Sequence, residues 1–319
     1  MRRRIVVTGG NGFVGREVVR RLYHEHEVLV LDTLRTGRSR FGPDETGRYR
    51  LERCDVTDAA AVGAALREFV PDVIVHLAAV HYIPECEQQP ALAVRTNVDG
   101  TVNLLAHAPP GSRFVYASSG AVYTPADRPH READSALVPT DVYGFTKLHG
   151  EQYVGHLAAQ RGLAAVVVRL FNVVGPGETN PHLLPEVFAQ LRAGRRTIEL
   201  GNLTSRRDYI HVYDAARGFV AAALDGTVEP GRTVTVNLGT SVAYSVAEVM
   251  AKVAAVVPVE FQWRQRAERQ RASDRPYLAA DIHEIARRFG WTPRATLDDA
   301  LADLWRDPDL TEALAGRYT

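Results

Sequence analysis

The chain of 319 residues can bury a large core in one domain or two, and its 38 basic residues balance 38 acidic ones. That balance leaves no global electrostatic footprint for nucleic acid. Two cysteines, Cys54 and Cys86, are too few for a disulfide scaffold or a cysteine-built metal site. They fit a reducing cytoplasm. The histidines show no paired ligand spacing such as H-E-x-x-H, so no metal site is expected. The opening "MRRRIVVTGG" has a basic head, but its apolar run is short and ends in glycines, so it reads as a strand and not as a signal peptide. Nowhere do about 18 apolar residues follow one another, so no membrane span is expected.

Taken in chain order, "RIVVT", "EVLVLD", "DVIVHLAA", "RFVYASS" and "AAVVVRLFN" are apolar, β-branched strand candidates. Runs that are apolar throughout suit strands covered on both faces. Helix candidates begin near Phe13, Asp58, Gln89 and Val142, so the repeating unit is β then α. This predicts an α/β fold with a parallel, doubly wound sheet. From Asn172 onward Gly and Pro become frequent ("VVGPGETNPHLLP") and the pattern breaks into shorter elements, which places a smaller lobe there. "RDYIHVYDAARGFVAAAL" reads as helix returning to the first sheet. The expected division is residues 1–171, rejoined by 212–238, as a dinucleotide-binding domain, and 172–319 mainly as a substrate lobe.

The stretch "IVVTGGNGFVGREVVRRL" joins a strand to a helix through Gly9, Gly12 and Gly15. A tight turn, close approach to a pyrophosphate and close helix packing each favour a residue without Cβ. The helix N-terminus, with Phe13 and Val14, then faces the phosphates. Asp32 ends the next strand, where a carboxylate can accept from a ribose 2′-hydroxyl and repel a 2′-phosphate. NAD is therefore favoured over NADP, although Arg35 and Arg38 follow closely in sequence. After the third strand, Asp55 is a candidate acceptor for the adenine amine, with Val56 beside it, and Asp58 suits a helix cap. Leu77, Ala78 and Ala79 follow the fourth strand, where bulk would strike the cofactor; His81 is expected in the wall.

"RFVYASSGAVY" ends a strand in Ser118 and Ser119, and "DVYGFTKLHGEQYVGHLA" sets Tyr143 and Lys147 one helical turn apart on a shared face. Serines there are often mere turn formers, and Tyr-x-x-x-Lys recurs by chance. Behind a nucleotide loop the set is a candidate proton-handling triad. An ammonium beside the phenol, together with an oxidised nicotinamide, is expected to lower the tyrosine pKa toward neutrality. Such a tyrosine takes a hydroxyl proton while hydride leaves the same carbon.

From "TGGNGFVG" through "DVIVHLAA", "NVDGT", "SSGAVY", "YGFTK", "RLFNVVGPG" and "RRDYIHVYD" to "LAADIHEIARRFGWTP", the chain resembles the extended short-chain dehydrogenase/reductase superfamily, with its Rossmann sheet, and within it nucleotide-sugar epimerases of the UDP-glucose 4-epimerase type. The resemblance implies Tyr143 as acid/base, Lys147 as cofactor anchor, and Ser119, with Ser118 beside it, meeting the sugar oxygen. Asn97 matches a structural, cofactor-side asparagine. Asn172, His182, Leu183 and Leu200 match residues along the nucleotide sugar. Arg207 and Arg271 match two arginines that clamp the diphosphate, Asp274 a contact to the uridine ribose, and Leu278 a position beside the sugar's 2-substituent. A homodimer built from the helix near Gln89 to His107 and the helix of Tyr143 is also implied.

Departures narrow the reaction. Related 4,6-dehydratases carry an acidic pair after the serine or threonine, and this chain has Gly120 and Ala121 there. Uronate epimerases carry threonine at Asn172 and a following arginine; here Asn172 and Thr179 stand, with Arg275 as a different carboxylate contact. Thr33 replaces the asparagine usual after the second strand's aspartate. The expected function is NAD-dependent 4-epimerisation of UDP-glucose and UDP-galactose. The alternatives are a UDP-glucuronate 4-epimerase, a 4-ketoreductase or decarboxylase using the same triad, and a noncatalytic dinucleotide-binding regulator.

Overall fold

The computed structural model describes residues 1–35, 39–178, 180–267 and 275–310. The first half alternates as the apolar runs predict: β1 Arg4–Thr8, α1 Phe13–Leu22, β2 Glu27–Asp32, β3 Arg50–Arg53, α2 Ala59–Phe69 and β4 Val73–His76. Then come α3 Ile83–Gln88, α4 Pro90–Val94, a π-turn at Arg95–Asp99, α5 Gly100–His107, β5 Arg113–Ser119, α6 Val142–Arg161 and β6 Ala164–Leu170. The helix expected from near Gln89 starts at Pro90 and runs to His107 with a π-turn inside it. Pro90 stands in its first turn, after the separate short α3, and the π-turn offsets α5 from α4.

The remaining elements are β7 Asn172–Val174, α7 Leu183–Arg192, β8 Thr197–Leu200, β9 Arg206–His211, α8 Val212–Leu224, β10 Thr233–Leu238, β11 Ala243–Ser245, α9 Val246–Val256, β12 Gln262–Gln265, β13 Tyr277–Leu278, α10 His283–Phe289 and α11 Leu297–Arg306. "RDYIH", read as the start of a helix, belongs to strand β9, and α8 begins at Val212. The central position of β9 explains it: β7, β11 and β13 all pair with β9, and that tertiary pairing overrides a local helical reading.

A parallel seven-stranded sheet runs β10-β6-β5-β4-β1-β2-β3. Order reverses on either side of β1, the arrangement that opens a crevice at the carboxyl ends of the strands. The strands read as apolar throughout because both faces are covered. Val18, Phe219 and Ile285 of α1, α8 and α10 fill one face, and Leu66, Leu104 and Val154 of α2, α5 and α6 fill the other. The run "AAVVVRLFN" crosses sheets: β6 stays in the large sheet, while β7 joins β9 in a four-stranded sheet. Around the latter, Leu184, Phe188, Val249, Met250 and Leu301 make a separate core. Asp58 caps α2 by accepting from the amides of Ala60 and Ala61, as its position suggests. Among the described residues no helix is long and apolar enough to cross a membrane.

Candidate active site

The carboxyl ends of the sheet strands and the second lobe enclose a cleft of about 710 Å³. Its floor is the glycine loop. Gly9 adopts φ +67°, and a Cβ there would stand 2.7 Å from the Ala78 amide nitrogen. A Cβ on Gly15 would stand 2.1 Å from the Gly9 carbonyl, so the loop and α1 pack only because both lack side chains. No side chain caps α1 at Gly12, which leaves its first-turn amides available to an anion. Gly9, Gly12, Phe13, Val14, Leu77, Ala78 and Ala79 all line this end, as the sequence places them.

Asp32, last in β2, is oriented by two backbone donors: Asn11 N–H at 3.0 Å and Leu34 N–H at 2.8 Å. It lies outside the cleft lining, as do Asp55, Val56 and Asn97. Asp55 is exposed and accepts from the Thr57 amide, whereas Val56 is buried. The buried Asn97 amide is spent internally. Its Oδ1 accepts from Val80 N–H and its Nδ2 donates to the Val80 carbonyl and Thr146 Oγ1. Asn97 thereby pins the strand-end loop to the helix of Tyr143. Its signal is the π-turn it occupies, a distortion frequent near functional sites.

Asp141 starts α6 by accepting from the Gly144 amide at 2.8 Å. The helix then presents Tyr143, Lys147 and, one turn further, Glu151 on one face. The Ser119 hydroxyl bonds Tyr143 and accepts from the Ala121 amide. The Lys147 Nζ donates to the Ala117 carbonyl at 2.8 Å and stands 5.8 Å from the centre of the Tyr143 ring. Burial pushes Lys147 down to about 8, against raising contributions from Cys86 and Glu151.

In the protein alone the tyrosine pKa is not lowered, whereas the expectation counted on the nicotinamide as well as the lysine. Burial, the largest cause, raises it, and the Ser119 hydrogen bond only partly offsets this. Lys147 directs its ammonium at a carbonyl instead of the phenol oxygen. Of the charges that expectation invoked, the nicotinamide's is thus the one left to favour the phenolate.

Beneath the triad lies an ionic cluster that the sequence reading did not single out. Glu151 accepts from the Ser118 hydroxyl and forms a bidentate pair with Arg169 at 2.9 and 2.7 Å, while Arg169 also donates to Tyr123. Ser118 lines the cleft but commits its hydroxyl to Glu151, and Ser119 is the serine bonded to Tyr143. The signal for Glu151 was present, four residues beyond Lys147 on the same face. That for Arg169 was not, since it looked like one charge in a strand.

On the far side, Asn172, His182, Leu183, Leu200, Arg207 and Leu278 line the cleft. Arg207 is held on β9 by donating to the carbonyls of Arg206 and Arg275. Leu278 pairs in register with Arg207 and packs with Phe171 and Val122. Arg275, weighed as a carboxylate contact, is buried and gives its Nη2 to Asp141 at 3.0 Å and to Thr140 and the Ala121 carbonyl. Its charge is already matched within the chain. Arg271, Asp274, Thr179 and Arg38 lie outside the described residues. The sequence also gave no signal for Glu178, which is buried in the wall with His81.

Residues 5–239 match the NAD dependent epimerase/dehydratase family. The chain is similar to a UDP-glucose 4-epimerase of Corynebacterium glutamicum, 32% identical over 98% of this chain and 97% of that one. Among solved structures it is similar to MoeE5 in complex with UDP-glucuronic acid and NAD, with a TM-score of 0.82 and 28% identity, covering 97% of this chain and 98% of that one. It is also similar to the UDP-glucose-4-epimerase from Stenotrophomonas maltophila with NAD and formylated UDP-arabinopyranose bound, with a TM-score of 0.83 and 27% identity, covering 98% and 99%. The glycine loop, the tyrosine–lysine helix and these likenesses agree: the chain belongs to the NAD dependent epimerase/dehydratase family.

Proposed function

We propose that the chain is an NAD-dependent nucleotide-sugar 4-epimerase of the UDP-glucose/UDP-galactose type. The observation that carries the reading is that Tyr143, Ser119 and Lys147 open into the same cleft as the glycine loop. The residues suit NAD: the approach at Gly9 and Gly15 admits no Cβ, Ala78 and Ala79 leave room above it, and Asp32 is an oriented acceptor for a ribose diol. When bound, NAD supplies an acceptor that takes the sugar's C4 hydride and gives it back.

Every other step belongs to side chains. Tyr143, as phenolate, takes the proton of the 4-hydroxyl and returns it to the same oxygen after the 4-keto sugar has turned in the cleft. Ser119 holds that oxygen. Lys147 holds the nicotinamide ribose. Arg207, with Arg271 as its partner on sequence grounds, binds the diphosphate, where fixed guanidinium forks match phosphate oxygens. Asn172, His182, Leu183, Leu200 and Asp274 serve the nucleotide and Leu278 the sugar. Residues 1–171 and 212–238 serve mainly the cofactor, and the rest mainly the sugar nucleotide.

A neutral hexose is favoured over a uronate, because the Arg275 guanidinium is engaged with Asp141. The reading includes a homodimer. Val94, Phe145 and Tyr153 expose apolar surface on α4 and α6, at 45%, 46% and 44% exposure, around a hollow that includes Val98 and His156. It also includes a reducing cytoplasm, in keeping with the two buried free thiols. Incubating purified protein with UDP-glucose and no added cofactor, and following UDP-galactose by NMR, tests the function; absence of any isomer counts against it. NAD released on denaturation supports the reading, and NADP alone would refute the role of Asp32.

A further inference from the structure

In the same cleft as the glycine loop, His81 from the loop after β4 meets Glu178 and His182 from the segment between β7 and α7. One donor atom from each lies within 4.8 Å of the other two, and all three residues line the cleft. The Glu178 side chain is almost wholly buried, whereas the His81 ring reaches solvent.

The imidazoles are held as ligating imidazoles are. His81 has one ring nitrogen tied to the backbone at Ala79, and its Nε2, on the opposite edge, stands 2.8 Å from Asn180 Nδ2. A backbone partner on the second nitrogen is the usual support of a metal-bound histidine. Tyr82 packs edge-on against the His182 ring at 5.6 Å between centroids. His182 opens α7 without capping it through its side chain.

We propose that His81, Glu178 and His182 bind a zinc-class divalent cation, with one coordination position open to the cleft. Two imidazole nitrogens and one carboxylate form the three-ligand set that leaves the fourth tetrahedral position to water or substrate. Metal–ligand bonds of about 2.0–2.1 Å put the donors of such a site roughly 3.4 Å apart. The present arrangement therefore closes by about 1.4 Å at most, with His81 exchanging Asn180 for the ion. Water fills the open position in the free protein. An oxygen of the bound sugar nucleotide displaces it, and this last step alone rests on the function proposed above.

The test uses tag-free, chelator-treated protein titrated with Co²⁺, read by the visible absorption of tetrahedral cobalt, and with Zn²⁺, read by calorimetry. Wild type should bind one equivalent. Glu178→Gln, which keeps the side chain's size, and His182→Ala should each weaken binding by more than the roughly 10- to 100-fold that loss of an outer-shell partner costs. Asn180→Ala, which frees the His81 Nε2, should bind at least as tightly as wild type. Absence of saturable one-to-one binding, or variants that bind like wild type, would overturn the site. Epimerisation by the chelated wild type is scored separately: turnover without cation binding sinks the cation site and leaves the proposed function standing.

Discussion

Replacing Lys147 with methionine should destroy turnover and yet stabilise the cofactor-free protein. Lys147 is 3% exposed, and burial brings its pKa from 10.5 to about 8. Each unit corresponds to about 1.4 kcal/mol, so holding this ammonium charged costs the fold about 3 kcal/mol. Methionine keeps the apolar stem and removes the charge. It also gives up the hydrogen bond to the Ala117 carbonyl, which returns about 1 kcal/mol. The net gain near pH 7 is about 2 kcal/mol, or roughly 3 °C in Tm for a chain of this length. The sign with pH follows from the lowered folded-state pKa. The unfolded chain holds the proton over the window from about 8 to 10.5 in which the folded chain has lost it, so wild-type stability rises there. The advantage of the methionine variant is thus full below about pH 8 and vanishes toward 10.5. Scanning calorimetry of both proteins, stripped of cofactor, across that window measures it. A variant less stable than wild type at neutral pH, or a difference indifferent to pH, would refute the reasoning.

Tyr143→Phe removes one phenolic proton carrier and little volume, so turnover should fall roughly a hundred- to ten-thousand-fold with substrate affinity nearly kept, as steady-state kinetics and calorimetric titration would show. Glu151→Gln leaves Arg169 buried without its charge partner and should cost about 3–5 kcal/mol of stability in denaturant melts. It also withdraws a contribution that raises the Lys147 pKa, so the alkaline fall of the pH–rate profile should move to lower pH. Leu278 offers an apolar wall without a hydrogen bond. Leu278→Ala should therefore raise relative activity on UDP-N-acetylglucosamine, and Leu278→Tyr should abolish it, within the about ten- to two-hundred-fold that apolar pockets discriminate. An unchanged ratio of the two sugars would remove Leu278 as the gate. Light scattering at micromolar concentration should report a dimer.

The sheet was legible because β1, β2, β4, β5 and β6 are covered on both faces and so read as unbroken apolar runs. The glycine loop was legible because Gly9 and Gly15 answer steric demands that no other residue meets. β9 was missed because three neighbouring strands stabilise it, and none of them lies beside it in sequence. The Arg275–Asp141 pair joins residues 134 positions apart, and neither end carries a local signal of the other. The cluster of Glu151, Ser118 and Arg169 has the same character, although helical spacing from Lys147 marks Glu151. His81, Glu178 and His182 escaped a search for paired histidine spacing because they come from two loops that only the fold brings together.

The central claim is that Tyr143 and its neighbours support a hydride that leaves and returns to the same carbon. The direct measurement is NMR of UDP-glucose carrying deuterium at C4, incubated with purified protein in ordinary water with no cofactor added. The account predicts UDP-galactose with the deuterium still at C4 and no solvent hydrogen there. Product carrying solvent hydrogen at C4, or no galactose isomer at all, would contradict it.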